Sequence, residues 1–155
     1  MEKKMTQNGI VLVVCVSIIQ DGKFLLIKEN KRVAKNMWNF PSGRIEIGED
    51  IFEAAHREVK EETGFEVKLT NTTGVYNFIS STDDQVILFH FIGELAGGSL
   101  TVDGEEIIDY AWVKITDFSK FDNQELRNAN VLNQIVDNII EEKYFDINAF
   151  HKQLK

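Results

Sequence analysis

Apolar residues follow a strand-like pattern over much of this chain. The run Ile10–Ile19 is almost continuously apolar and rich in β-branched residues, which predicts a buried strand. An Asp-Gly turn follows within QDGK, and FLLIKE then predicts the returning strand of a hairpin. Residues 30–37 are polar and predict a loop. Further along the chain, strand-like segments recur between Asp-Asp, Gly-Gly and Asp-Gly turns, namely FEVKLT, TGVYNFISS, QVILFHFIGEL and IDYAWVKI.

Two segments show helical signals instead. A helix is predicted from Asp50 to Thr63, because Asp50 can cap its start, Glu53 completes a capping-box pattern and Gly64 suits a left-handed C-terminal cap. A second helix is predicted over residues 125–145, ELRNANVLNQIVDNIIEEKYF. Its apolar stripe consists of Leu132, Ile135, Val136, Ile139 and Ile140. These elements predict an α/β or α+β fold, in which helices flank a mixed β-sheet.

Composition and charge narrow the class of protein. The 155 residues predict one domain over residues 1–155, and the net charge of −8 argues against nucleic acid as a primary partner. Cys15 is the only cysteine and lies in an apolar run, which predicts a buried thiol. The charged start of the chain precedes an apolar run shorter than the roughly 20 residues that span a bilayer. No small-residue cleavage site follows it, so we expect a cytoplasmic protein without a membrane partner.

The sequence REVKEETG at the end of the first predicted helix contains three glutamates. At about 100° per residue, Glu58, Glu61 and Glu62 share an arc that overlaps one flank of the apolar stripe. The solvated face carries His56 and Lys60 instead. Three like charges beside a core repel and are costly to desolvate, which favours a bound divalent cation as compensation. The alternative is that the three side chains extend to water from the edge of the stripe.

The longer stretch GRIEIGEDIFEAAHREVKEETGF resembles the Nudix box. Every defined position of that motif is filled over 23 residues, so the match is specific. The matching positions are Gly43, Glu49, Arg57, Glu58, Val59, Glu61, Glu62, Gly64 and Phe65. The preceding WNFPSG is similar to the family's entry segment, with Ser42 in place of one glycine. The resemblance implies a MutT-like Nudix α/β/α sandwich that hydrolyses pyrophosphate bonds.

The resemblance also implies a set of site residues. The expected ligands of Mg²⁺ or Mn²⁺ are Glu58, Glu61 and Glu62, helped by the Gly43 carbonyl. Glu58 and Glu61 are also the first candidates for catalysis, and Glu58 either ligates the metal or acts as the base. Glu49 and Arg57 are box residues whose ion pair would orient the loop against the helix, and a free surface charge is the alternative for Arg57.

A further carboxylate and several substrate contacts are expected outside the box. Many family members carry an acid before a tryptophan near the end of the sheet. In GEEIIDYAW, Glu106 is the first choice and Glu105 the second, ahead of Trp112, with an exposed loop acid as the alternative. Expected substrate-binding residues are Arg44, Trp38 and Lys28, and Arg32 and Lys35 are further candidate phosphate contacts. For both tryptophans, packing against the core or its rim is the alternative to stacking on a base.

The substrate class stays open at this point. The resemblance implies a small nucleotide or pyrophosphate substrate, with nucleoside triphosphates as one choice. A phosphatase-type Nudix enzyme acting on nucleotides or thiamine-precursor pyrophosphates is the alternative. A non-catalytic ligand-sensing Nudix-like domain is a third reading, but such domains commonly have a degraded box. The resemblance is also compatible with a homodimer, since many family members dimerise.

Overall fold

A computed structural model describes residues 9–155. Its strands are β1 Ile10–Gln20, β2 Lys23–Lys31, β3 Ala34–Asn39, β4 Ser42–Arg44, β5 Phe65–Ile79, β6 Gln85–Gly98, β7 Ile107–Lys114 and β8 Phe145–Asp146. Its helices are α1 Ile51–Thr63 and α2 Ala129–Ile140, and short 3-10 turns cover Ile115–Lys120, Asn123–Glu125 and Ile147–Ala149. Residues 1–8, which include the charged start of the chain, lie outside the described residues. The start of the predicted domain range therefore lies outside them too.

The sheet is mixed, with β1 at its centre. β1 runs parallel to β6 and antiparallel to β2 and β4. The strand order is β3-β2-β1-β6-β5-β8, with β4 paired to β1 and β7 paired to β2. The β1–β4 pairing matters for the site, because it places Gly43 opposite Val14 in the middle of the molecule.

The two helices pack on opposite faces of this sheet. Alternation along β1 sends Val14 and Val16 towards α1, whereas Cys15 packs in the apolar cluster that includes α2. Burial raises the pKa of the Cys15 thiol far above its usual range, as expected for a packing thiol. The three layers confirm the predicted fold class, an α/β/α sandwich. No helix within residues 9–155 is long and apolar enough to cross a membrane.

The prediction of a loop at residues 30–37 is wrong. β2 continues to Lys31 and β3 begins at Ala34, so a tight hairpin replaces the loop. Polar residues are tolerated there because β3 lies at the edge of the sheet, where one face meets water. Asn36, with φ of 58°, is passed over in the pairing of the two strands and forms an irregularity beside Glu29.

The first predicted helix is confirmed and the second is shorter than predicted. Asp50 caps α1, accepting from the amides of Phe52 and Glu53, and Gly64 closes it at φ 80°. α2 begins only at Ala129, because Asn128 takes a left-handed conformation with φ of 49°. Of the predicted stripe, Leu132, Ile135, Val136 and Ile139 are buried, but Ile140 is 54% exposed.

Candidate active site

The acidic arc of α1 faces partly into the protein, as the helical wheel predicted. Glu58 and Glu62 are only 9% and 8% exposed, next to the fully buried Val59. Glu61 lies at the outer rim, with 58% of its side chain exposed. His56 is on the solvated face, as predicted. The helix therefore presents two buried carboxylates and one exposed carboxylate along the same edge.

Arg57 links these carboxylates to the preceding loop. Its Nε donates to Glu49 at 2.6 Å and its Nη2 donates to the other Glu49 oxygen at 3.0 Å. Its Nη1 donates to Glu58 at 2.7 Å and to Glu61 at 3.3 Å. Nη2 also donates to the Arg44 carbonyl at 3.0 Å. The Arg57 guanidinium holds the pKa of Glu49 below its usual range, so the structure contains the ion pair that the box implied.

Gly43 lies directly against α1. A Cβ atom at this position would overlap the Glu58 carboxylate, so a larger residue would have to displace the end of that side chain. The next residue back, Ser42, donates its amide to Glu62 Oε1 at 2.8 Å. β4 therefore fixes the Glu62 carboxylate from the backbone, and it brings the Gly43 main chain to the side chain of Glu58.

A cationic group on β2 also contacts the cluster, and sequence reasoning missed it. Lys31 Nζ lies 3.3 Å from Glu62 and 3.0 Å from Glu29, whose side chain is fully buried. Arg127 Nη1 lies 3.1 Å from the other Glu29 oxygen. The one available signal was Glu29 itself, an acid at a position where β2 alternation points inward. Its partner 98 residues away could not be read from the sequence.

The two buried carboxyls have an unusual affinity for protons. Burial raises the pKa of Glu62 to about 8, although Lys31 acts in the opposite direction. Burial also raises the pKa of Glu58, and the hydrogen bond from Arg57 opposes this. A nearby positive charge stronger than the cations that contact them would therefore stabilise the ionised form of both carboxyls.

A cavity of about 850 Å³ opens beside the acidic edge of α1. Charged residues and apolar strand and helix residues both line it. The charged lining residues are Lys31, Arg44, Glu58, Glu61, Glu62, Asp84, Asp103, Glu106 and Arg127. The apolar lining residues are Val11, Val13, Val33, Phe78, Val86, Leu88, Ile107, Val131 and Leu132. An anionic group and an attached apolar ring could both be accommodated there.

The predicted residues outside the box divide into two groups. Arg44 and Glu106 line the cavity, and Glu105 is not among the lining residues. Trp38 and Lys28 are also absent from the lining. Instead, Lys28 Nζ lies 5.5 Å from the centre of the Trp38 ring, and that ring packs edge-on against Phe121. The structure therefore does not bring Trp38 and Lys28 to the cavity, and their contact with substrate stays a prediction.

The carboxylate oxygens of this site suit a hard divalent cation, but in this structure they do not converge on one point. Within residues 9–155 no group of three acidic, histidine or cysteine side chains stands in metal-binding geometry. Arg57 and Lys31 hold the carboxylates in this arrangement. Clustered carboxylate oxygens beside the closely approaching Gly43 backbone are nonetheless the chemistry that Mg²⁺ and Mn²⁺ prefer.

Comparison with known proteins identifies the family. The NUDIX domain profile matches residues 10–135. The chain belongs to the Nudix family. A Nudix hydrolase from Nitrosomonas europaea covers 91% of this chain and 95% of its own, with a TM-score of 0.78 and 28% identity.

Two curated relatives of this Nudix chain carry enzyme names. A Bacillus subtilis (strain 168) protein, provisionally named an 8-oxo-dGTP diphosphatase, is 35% identical over 98 residues. The match covers 63% of this chain and 62% of that relative. The nucleoside triphosphatase NudI of Escherichia coli O139:H28 is 31% identical over 121 residues, covering 71% of this chain and 86% of NudI. The prediction of a MutT-like Nudix hydrolase is confirmed.

Proposed function

We propose that this Nudix protein hydrolyses nucleoside triphosphates to nucleoside monophosphates and pyrophosphate, with Mg²⁺ or Mn²⁺ as its cofactor. The observation that carries the proposal is the buried acidic edge of α1, where Glu58 and Glu62 face a cavity that also holds Lys31 and Arg44. Carboxylates can hold the cation there, and the basic side chains can hold phosphate oxygens.

The metal would be held by Glu58, Glu61 and Glu62 together with the Gly43 carbonyl. A bound divalent cation neutralises phosphate charge and lowers the pKa of a coordinated water. The chain's own contribution is orientation. Arg57 joins the loop carboxylate of Glu49 to the helix, and the Ser42 amide fixes Glu62. The carboxylates are therefore presented from a rigid helix against a paired strand.

Glu106 is the proposed additional carboxylate and a candidate general base, besides Glu58. It lines the same cavity as the acidic edge of α1. Its loop is fixed on both sides, because its carbonyl accepts from the Asn30 amide at 2.7 Å and Asp103 Oδ1 accepts from its amide at 3.1 Å. Glu105 remains the second choice, although its side chain is not part of the cavity lining.

The names of the relatives favour nucleoside triphosphates over the other substrate classes. One relative is a nucleoside triphosphatase and the other is provisionally an 8-oxo-dGTP diphosphatase. The apolar lining residues, among them Val131 and Leu132 from α2, offer a surface for a base, and the basic lining residues offer contacts for the phosphates.

A substrate panel tests this proposal. Purified protein would be assayed with nucleoside triphosphates, nucleotide sugars, dinucleotides and thiamine pyrophosphates, with Mg²⁺, with Mn²⁺ and with a chelator. We expect metal-dependent formation of a monophosphate and pyrophosphate from triphosphates. Release of orthophosphate alone would favour the phosphatase-type reaction instead, and the absence of metal-dependent turnover across the panel would contradict the enzyme proposal.

Three expectations about the whole protein stay predictions. They are a single domain over residues 1–155, a cytoplasmic location and a homodimer. The expectation that nucleic acids and membranes are not partners likewise stays a prediction.

A further inference from the structure

Glu29 is a buried acid outside the Nudix box with two cationic partners. Its side chain is completely inaccessible to solvent. Lys31 Nζ lies 3.0 Å from one oxygen, and Arg127 Nη1 lies 3.1 Å and 3.2 Å from the two oxygens. A buried carboxylate is costly unless it is paired, so these two contacts explain how Glu29 is tolerated at this position.

The two partners of Glu29 face the cavity. Lys31 and Arg127 line it, and their side chains keep 25% and 28% of their surface exposed. Glu29 itself is not among the lining residues. The carboxylate therefore lies behind the two cations and holds them together from the protein side, with their outer surfaces towards the cavity.

Both cations keep donors for a ligand. Within residues 9–155, the hydrogen bonds from the Arg127 side chain are all made by Nη1 and all end on Glu29. A guanidinium has five N–H donors in a planar fork, so most of them are available to an anion. Lys31 uses its ammonium on Glu29 and Glu62, which places it between the acidic edge of α1 and Arg127.

The many acids that line the cavity explain why fixed cations would be needed for a phosphate chain to bind there. Six acids line the cavity: Glu58, Glu61, Glu62, Asp84, Asp103 and Glu106. Such a surface repels a polyphosphate unless fixed cations oppose it. Lys31 and Arg127 share the buried Glu29 carboxylate, and Lys31 also contacts Glu62, so the positive charge directed at this wall of the cavity is carried mainly by Arg127.

We propose that Lys31 and Arg127 form a two-cation clamp for the phosphate chain of the substrate, and that Glu29 is the positioning residue that holds the clamp in place. This inference rests on the proposed function, since it assigns the phosphate contacts of that same cavity. Glu29 touches no substrate in this account and acts only through its two partners.

Arg127→Gln is the principal test, because Arg127 contacts none of the proposed metal ligands. Removing a charge-assisted contact that is equal in ground and transition states raises KM and leaves kcat nearly unchanged. We expect KM for the triphosphate to rise about tenfold and kcat to stay within about twofold. The dissociation constant of an α,β-methylene nucleoside triphosphate, measured by calorimetry with Mg²⁺, should rise by the same factor. Mn²⁺ affinity should not change.

Glu29→Gln tests the positioning role. If Glu29 holds the clamp, its replacement should weaken binding of the methylene analogue, also by about tenfold. In the Lys31→Gln/Arg127→Gln background it should have no further effect. If Glu29 merely neutralises the two cations, Glu29→Gln would free them and tighten binding instead, which would overturn the positioning role.

Matched controls separate the clamp from general surface charge. Glu141 and Lys143 form an exposed pair with the same spacing as Glu29 and Lys31, at 2.8 Å and outside the cavity lining. Glu141→Gln and Lys143→Gln should leave KM and analogue binding unchanged. If Glu29→Gln does not fold, Arg127→Lys is the alternative test of the clamp. This variant keeps the charge but loses the planar fork of donors, so it should weaken binding of the methylene analogue about threefold.

The calorimetric binding measurement distinguishes a failure of the clamp from a failure of the proposed reaction. If wild-type protein binds the methylene analogue and Arg127→Gln binds it equally well, the clamp is wrong whatever the enzyme hydrolyses. If Arg127→Gln weakens analogue binding but the wild type hydrolyses no triphosphate, the clamp stands and the proposed reaction is wrong. If the wild type does not bind the analogue at all, both are contradicted.

Discussion

Arg57 is the side chain on which the geometry of the acidic cluster depends. It contacts Glu49, Glu58 and Glu61 and the backbone carbonyl of Arg44. These partners lie in different directions, and only a planar group with several donors can reach all of them. The box pattern pointed to Arg57 and Glu49, because both belong to one short motif whose members are close in sequence.

Arg57→Lys should therefore lower activity while keeping the charge. A lysine ammonium can replace at most part of the fork, so the helix carboxylates lose their common orientation. We expect kcat to fall roughly 10- to 100-fold, in the range seen when outer-shell partners of metal ligands are lost. Steady-state kinetics with a thermal melt as folding control would check this. Wild-type kcat in a folded Arg57→Lys variant would show that the fork is dispensable.

Glu62 should make the metal-free protein less stable at higher pH. Its folded pKa of about 8 lies above its ordinary value of 4.5, so the folded state keeps a proton that the unfolded state has released. The stabilisation is complete below 4.5 and is lost as the pH rises through about 8. Denaturant unfolding in chelator should show this decline, and Glu62→Gln should reduce its slope. An unchanged slope would mean that Glu62 ionises normally.

Lys31, Glu29 and Arg127 show the limit of sequence reasoning at the residue scale. Each is an ordinary charged residue in an ordinary segment. Their grouping arises because the turn before α2 brings Arg127 back against β2, and the Arg127 amide donates to the Trp38 carbonyl at 3.0 Å. Such contacts across 98 residues depend on tertiary packing, which no local pattern encodes.

At the scale of elements, α1 is held at its start by the end of the chain. Asp50 uses one oxygen to cap α1, and its other oxygen accepts from the Gln153 amide at 2.7 Å. Phe150 packs against Phe52 of α1 and against Phe91 of β6, with ring centres 6.3 Å and 5.0 Å apart. The C-terminal residues therefore fasten the helix that carries the acidic cluster to the sheet.

Phe150→Ala should destabilise the protein through this contact. We expect the free energy of unfolding to fall by about 2 kcal/mol. This is less than for a fully buried phenylalanine, because Phe150 is half-buried. Leu154→Ala is the matched control, because Leu154 is 91% exposed. Chemical denaturation of both variants would check this, and equal stabilities would remove the C-terminal contact from the account.

Element prediction succeeded where local signals agree and failed where tertiary context decides. Asp50 and Gly64 marked the ends of α1 correctly, because caps are local hydrogen-bond chemistry. β3 was missed because its polar residues lie at a sheet edge, and α2 was predicted too long because Asn128 interrupts it. Neither feature produces a periodic signal of its own.

At the scale of the molecule, a buried polar chain crosses the sheet to α2. His90 accepts or donates through both ring nitrogens, to Ser17 at 2.8 Å and to Thr73 at 2.7 Å. Thr73 continues to the Tyr76 hydroxyl at 2.6 Å, and Asn138 donates to that hydroxyl at 2.8 Å. A fully satisfied buried network fixes the relative positions of the strands and the helix that carry it.

His90 should make stability fall on acidification. Burial lowers its folded pKa to about 3, below its ordinary 6.5, so the unfolded state binds a proton that the folded state refuses. The stabilisation is present above pH 6.5 and is lost progressively as the pH falls towards 3, by up to about 1.4 kcal/mol per pH unit. Unfolding curves of wild type and His90→Gln from pH 7 to pH 5 should differ in slope, and parallel curves would contradict this.

The fold class and the acidic edge of α1 could be predicted, because both follow from periodicity and one motif. The lining of the cavity could not, since Trp38 and Lys28 pack on each other beside Phe121 whereas Arg127 lies in the lining. Side chains from β1, β2, β4, α1, β5, β6, β7 and α2 line that cavity, and their convergence is a property of the whole molecule.

The central claim is that the α1 carboxylates hold the metal that drives pyrophosphate release. The most direct test is the rate of pyrophosphate release from a nucleoside triphosphate as Mg²⁺ is titrated, in wild type, Glu61→Gln and Glu53→Gln. Glu61 is 58% exposed on its side chain, so its loss should not unfold the protein, and Glu53 lies on the solvated face of the same helix. We predict a saturable Mg²⁺ dependence in wild type and Glu53→Gln, and a rate at least about 100-fold lower in Glu61→Gln. Equal rates in the three proteins, or full activity in chelator, would contradict the claim.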